Sequence, residues 1–174
     1  MSQICAEWWT GRVGPERWMN WDTRQVVEHS ALKRTAVNDT VFAFLAPVGP
    51  APLGRDRDPY LETGHHPDIV ERVWKGLGAD LPESARCRVN GNPVLAHRAS
   101  GAVLALPRGT AYAVWLTPSE RSECNLSVLH RWGNGTVTDL AACLGEGWYW
   151  GRFDSREPAW CRAAYRWWDH NVKT

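Results

Sequence analysis

An excess of basic charge is the first thing this chain lacks. Its 20 Lys and Arg residues face 19 Asp and Glu, a formal net charge of +1, and the signs are interspersed, as in Arg55-Asp56-Arg57-Asp58. Binding to nucleic acid draws its affinity mainly from displacing counterions on phosphates, which calls for a basic stripe or a strongly basic balance. Neither is present, so nucleic acid is not an expected partner. Nor does any apolar run approach the roughly 18 residues that a membrane-spanning helix needs. The opening MSQICAEWWTGRVG has no basic stretch followed by an apolar one. No membrane association is expected, and the expected location is cytoplasmic.

Close-set cysteines are missing too. The 5 cysteines, Cys5, Cys87, Cys124, Cys143 and Cys161, form no C-x-x-C pair, which excludes the common structural zinc and redox spacings. They are expected to be free thiols packed as small hydrophobes. Neither G-x-x-x-x-G-K-[ST] nor G-x-G-x-x-G occurs, so nucleotide-dependent transfer of the common kinds is disfavoured. There is no G-x-S-x-G elbow. Cys124, His130 and Asp139 come in an order compatible with a triad, but 5 cysteines and 6 histidines offer such trios by chance. No metal and no cofactor is expected.

Two shortages are compensated by an unusual surplus. Only Lys33, Lys75 and Lys173 are lysine, so arginine carries nearly all the positive charge, and 3 phenylalanines stand against 12 tryptophans. The interior must be built largely around indoles. At 174 residues one domain can bury about two-thirds of its unfolded surface, and a single globular domain over 1–174 is expected.

Along the chain, Asp22 or Thr23 can cap an N-terminal helix at about 23–35, and TVFAFLA at 40–46 reads as a strand. The stretch 47–59 holds four prolines and two glycines and is expected to be a surface loop. Ile69, Val70, Val73, Trp74 and Leu77 then form an apolar stripe at helical spacing. They define a central helix at about 66–77, with Glu71 and Lys75 paired outward and Gly78 closing it. From 86 to 116 the signals are those of a four-stranded antiparallel meander. Asn90-Gly91 suits a type I′ turn, and Leu106-Pro107-Arg108-Gly109 suits a type I turn. Its inner strands AVLAL and AYAVWL are apolar on both faces and need cover on both sides. NLSVLHRW and GWYWGRF read as further strands, 138–145 as a short helix, and 156–169 as a C-terminal helix with Trp160, Ala164, Trp167 and Trp168 on one side. The expected class is α+β: an antiparallel sheet of about five to six strands packed by helices.

LETGHHPDIVERVW contains the most suggestive local chemistry. His65 and His66 are adjacent, with Asp68 nearby, and all three are good metal ligands. Adjacent residues diverge on a helix and face opposite ways on a strand, so only a loop could aim both histidines at one ion. A helix start explains the stretch better: Pro67 takes the first helical position, His66 or a neighbour caps, and Asp68 meets the positive end of the dipole. That location should favour neutral imidazole. With no catalytic motif and a strong Arg/Trp bias, the leading expectation is a non-catalytic protein-interaction domain, a small regulator or inhibitor of a partner protein. Its candidate binding residues are Trp148, Trp150, Trp167 and Trp168. The alternative is a small hydrolase using His65, His66 or His97 with a nearby carboxylate.

Overall fold

The computed structural model describes residues 17–20, 25–28, 31–47 and 65–172, the first two segments through their backbone alone. Most of the expected 47–59 loop lies outside the described residues. The fold is α+β. Its centre is a five-stranded antiparallel sheet in the order β3-β4-β5-β6-β9, made of β3 (Arg86–Val89), β4 (Asn92–His97), β5 (Ala102–Arg108), β6 (Ala111–Trp115) and β9 (Trp148–Trp150).

The meander forms because its turns are locally encoded. Asn90 and Gly91 both have positive φ, 49° and 80°, as the two-residue type I′ turn requires. Val89 pairs with Asn92 across it. The β5–β6 hairpin turns two residues later than the Leu-Pro-Arg-Gly spacing suggests. Strand β5 runs through Pro107 to Arg108, which pairs with Ala111, so Gly109 (φ 59°) and Thr110 make the turn. A positive φ at its first central position alone is the type II′ pattern. Pro93 and Pro107 each stand one pair removed from a two-residue turn, opposite Arg88 and Tyr112. Such pairs exchange no hydrogen bonds, so the missing proline amide is not needed there.

Strands β4 and β5 are buried nearly end to end, and each face of the sheet has its cover. On one face lie the helix α2 (Pro67–Glu71), its π-helical continuation Arg72–Leu77, and α5 (Glu157–Asn171). Ile69, Val73, Trp74, Leu77, Trp160, Cys161 and Ala164 pack there against Leu95, Leu104, Tyr112 and Val114. On the other face α1 (Asp39–Phe44) and α4 (Leu140–Leu144) bring Val41, Leu45, Leu140 and Leu144 onto Val94, Ala96, Val103, Leu106 and Trp150. Between β6 and β9 run a short helix α3 (Pro118–Arg121) and a separate hairpin of β7 (Leu129–Arg131) and β8 (Val137–Asp139). The outer strands are bordered as well: Leu32 N–H donates to Arg88 O at 2.8 Å beside β3, and Trp150 N–H to Ser127 O at 2.8 Å beside β9.

Two expected elements are corrected. In place of a helix at about 23–35, β2 (Gln25–Glu28) pairs antiparallel with β1 (Arg17–Asn20). The β-branched Val26 and Val27 are stiff at χ1 and favour extended backbone when cross-strand partners, here Met19 and Trp18, are present. The expected strand at 40–46 is instead helix α1. Its C-terminal carbonyls, which a helix leaves unpaired, are met by the sheet: Asn90 Nδ2 donates to Phe42 O (3.1 Å) and Leu45 O (2.9 Å), and Arg108 Nη1 to Phe44 O (2.7 Å). Val41 and Leu45, one helical turn apart, become the buried pair. The segment 125–132 does contain a strand, but it pairs only with β8, outside the main sheet. Among the described residues, no helix is long and apolar enough to cross a membrane.

Candidate functional site

The three candidate histidines lie at the two ends of β4. His65 is 5% exposed. Its Nε2 is 2.6 Å from Asn92 Oδ1, at the start of β4, and its Nδ1 accepts the Gly109 N–H at 3.1 Å. Nδ1 accepting leaves Nε2 as the donor, which fixes the tautomer. Burial holds the imidazole below its ordinary pKa; the Asn92 hydrogen bond opposes this and Arg108 adds to it. The neutral form expected for His65 is therefore favoured, with burial as its cause in place of the helix dipole. His66 caps α2, its Nδ1 accepting the Asp68 N–H at 3.2 Å, with Pro67 in the first turn. His97 ends the same strand, five steps on, or about 16 Å at strand rise. His65 and His97 therefore cannot share one small substrate. Among the described residues, no group of three or more His, Cys, Asp or Glu side chains could hold a metal ion.

His97 has the carboxylate partner that the hydrolase alternative requires. The ring is 2% exposed, with Nε2 2.6 Å from Asp169 Oδ1 in the last turn of α5. On its other side Nδ1 accepts the Ser100 N–H at 3.2 Å and lies 2.8 Å from Ser100 Oγ. The edge of Tyr165 packs on the ring at 4.8 Å between centroids. The His97-Arg98-Ala99-Ser100 turn could suggest the serine contact from sequence, but nothing local points to Asp169.

The two buried thiols are poorly placed for chemistry. Burial pushes the Cys161 thiol up to about 12 and raises that of Cys87, which suppresses the reactive thiolate. Nor do His130 and Asp139 converge. His130 pairs with Thr138, so Asp139 faces the opposite side of the hairpin, where its carboxylate caps the Ala141 and Ala142 amides.

The four candidate tryptophans divide evenly. Trp148 and Trp150 are 5% and 4% exposed and belong to the core beneath α4. Trp167 and Trp168 are half-buried at the end of α5. They meet half-buried Trp115 at the end of β6, with centroids 5.3 Å (Trp115–Trp167), 5.5 Å (Trp115–Trp168) and 4.9 Å (Trp167–Trp168) apart. Arg121 lies over Trp115 at 5.3 Å, its Nε donating to Leu116 O at 2.9 Å and its Nη1 3.7 Å from Glu146. Gly147 (φ 97°) makes room, since a Cβ there would overlap Arg121 and Trp115 Nε1. Trp168 Nε1 is shielded from solvent and has no hydrogen-bond partner among the described residues.

Sequence reasoning missed a buried polar network at the opposite end of the sheet. Glu157 is 0% exposed; its carboxylate accepts from Arg72 Nη2 (2.9 Å), the Arg152 amide (2.8 Å) and the Tyr112 hydroxyl. The Phe153 amide in turn donates to Tyr112 Oη at 2.6 Å. Burial, followed by the Glu157 hydrogen bond, raises the Tyr112 pKa. Arg72 lies close over Gly76, where a Cβ would stand 3.0 Å from Arg72 Cδ. Phe153 adopts φ 54°, rare for a residue with a side chain. This network joins the π-helix, β6, the 151–156 segment and the start of α5. No family model, no curated protein and no solved structure matches the chain, so its functional reading rests on this geometry.

Proposed function

We propose that this chain is a protein-interaction domain, a small regulator or inhibitor that binds a partner protein through the surface formed by Trp115, Trp167, Trp168 and Arg121. The observation supporting this reading is the prior immobilisation of that surface. Three indoles pack against one another on a strand end and a helix end, and Arg121, over the Trp115 ring, donates to a backbone carbonyl. Rigid aromatic and arginine side chains give up little rotamer freedom on binding, which is why they dominate interface energetics. The matching ligand is a protein segment with a carboxylate beside an aliphatic or prolyl side chain: the acid for Arg121, the apolar group for the indoles.

A peptide library displayed on phage and selected on the intact protein tests this. Enriched peptides should carry that pairing, and their affinity should fall about tenfold or more for Trp167→Ala and for Arg121→Ala, the loss expected of interface anchors. Peptides that bind both variants as well as the wild type would remove the surface from consideration.

A second reading, a small hydrolase, is supported by the contact between His97 and Asp169. A carboxylate on one imidazole nitrogen orients the ring and leaves the other nitrogen as a base.

A further inference from the structure

We infer that Ser100 is an activated nucleophile that accepts an acyl group from small esters, with His97 as its general base and Asp169 as the residue positioning that base; this rests on the hydrolase reading. Asp169 Oδ1 accepts from His97 Nε2 at 2.6 Å, so the lone pair of the ring is on Nδ1. Ser100 Oγ lies 2.8 Å from Nδ1, nearer than the Ser100 N–H, which shares the same lone pair at 3.2 Å. The hydroxyl has two further contacts: it can donate to His97 O at 3.2 Å, and it accepts the Ala102 N–H at 3.1 Å. The nitrogen is the nearer of the two acceptors for its proton. The Ala102 amide stabilises negative charge developing on Oγ as the proton leaves, as an N–H donor does for any oxyanion.

The arrangement is open on one side. Ser100 is half-buried, and Arg98 and Ala99 before it are exposed at the tip of the β4–β5 turn. Ser100 Oγ and its base are already within hydrogen-bond distance of each other. In the step, the Ser100 Oγ–H proton passes to His97 Nδ1 and Oγ bonds to the ester carbonyl carbon. The carbon–oxygen bond to the alcohol then breaks, and that alcohol leaves with the proton held by His97. Water, deprotonated by the same nitrogen, releases the acid and restores Ser100. The Gly101 N–H, which could have met the carbonyl oxygen, is committed to His97 O at 2.9 Å. Stabilisation of the tetrahedral intermediate is therefore weak, and the acyl-enzyme should form and decay slowly.

The test uses p-nitrophenyl acetate with the full chain, following p-nitrophenolate release and the mass of the intact protein. The expected result is a stoichiometric burst, one added acetyl group mapped to Ser100, and loss of both in Ser100→Ala. Asp169→Ala should slow the burst by about a hundredfold, the scale of a general-base contribution. Asp169→Glu should restore part of it at unchanged thermal stability, which a merely structural carboxylate would not do. Catalysed release that persists in Ser100→Ala without an adduct would overturn the nucleophile and leave His97 acting on water. No release above background from the wild type would overturn the hydrolase reading as well.

Discussion

The hydroxyl of Tyr112 on β6 donates to the carboxylate of Glu157 at the start of α5, with both side chains at 1% exposure or less. A buried carboxylate is tolerable only while its partners are in place. Glu157→Ala would strand the Arg72 guanidinium, whose hydrogen bonds to Glu157 and Tyr112 raise its pKa against the opposing effect of burial. The expected loss is about 3–5 kcal/mol, read from urea unfolding. Tyr112→Phe removes the hydrogen bond to the Glu157 carboxylate and the acceptor of the Phe153 amide and of Arg72 Nε, and should cost about 1.5–3 kcal/mol or more. The double variant should lose less than the sum, because both act on one network. Strict additivity would show that the two contacts are independent.

Acid should weaken the fold through His65. Its folded pKa lies below the ordinary value of 6.5 because of burial, so the unfolded chain binds the proton more readily. The stabilisation is complete above about pH 6.5 and is lost as pH falls toward the folded value, at up to about 1.4 kcal/mol per pH unit for this one group. His65→Gln should flatten that part of the profile between pH 7.5 and 5.5. An unchanged slope in the variant would place the acid sensitivity elsewhere.

Gly151 is fixed by a neighbour, with no unusual φ involved. Its amide donates to Tyr112 O at 2.8 Å, and a Cβ would fall within the Tyr112 ring. Gly151→Ala must displace a fully buried aromatic, and overpacking of that kind costs about 1–3 kcal/mol or more. Thermal unfolding would register the loss, and Tyr112→Leu should cost less in that background than in the wild type, because it removes the clash together with the ring.

Two tryptophans should respond unequally to loss of the indole nitrogen. Trp74 Nε1 donates to Val94 O at 2.9 Å, and Trp74→Phe would leave that buried carbonyl without it, at about 1–3 kcal/mol. Trp168 Nε1 has no partner among the described residues, so Trp168→Phe gives up packing area while relieving a desolvated donor. Its net effect should stay within about 1 kcal/mol of zero. Equal losses in the two variants would mean that the Trp168 donor is paired after all.

What could be read in the sequence follows the range of the forces involved. The Asn90-Gly91 turn, the helix start at His66-Pro67-Asp68 and the stripe from Ile69 to Leu77 are set by neighbours within a few positions, and all three stand where expected. Residues 40–46 are different. Thr40, Val41 and Phe42 favour a strand by intrinsic preference, and the segment is helical because Asn90 and Arg108, far along the chain, satisfy its carbonyls. The partner of Arg72 in the buried network, Glu157, likewise lies 85 positions away. The candidate site divides in the same way: the His97–Ser100 turn is local, whereas Asp169 lies 72 positions from His97 and only the docking of α5 brings it there.

The bordering of the sheet by Leu32 beside β3 and by Ser127 beside β9 bears on how the molecule meets others. An open strand edge is a template for adding a further strand, whether from a peptide ligand or from a misfolded neighbour. With the outer strands already engaged at Arg88 and Trp150, main-chain pairing is discouraged at both flanks of the sheet. The same contacts discourage edge-to-edge aggregation.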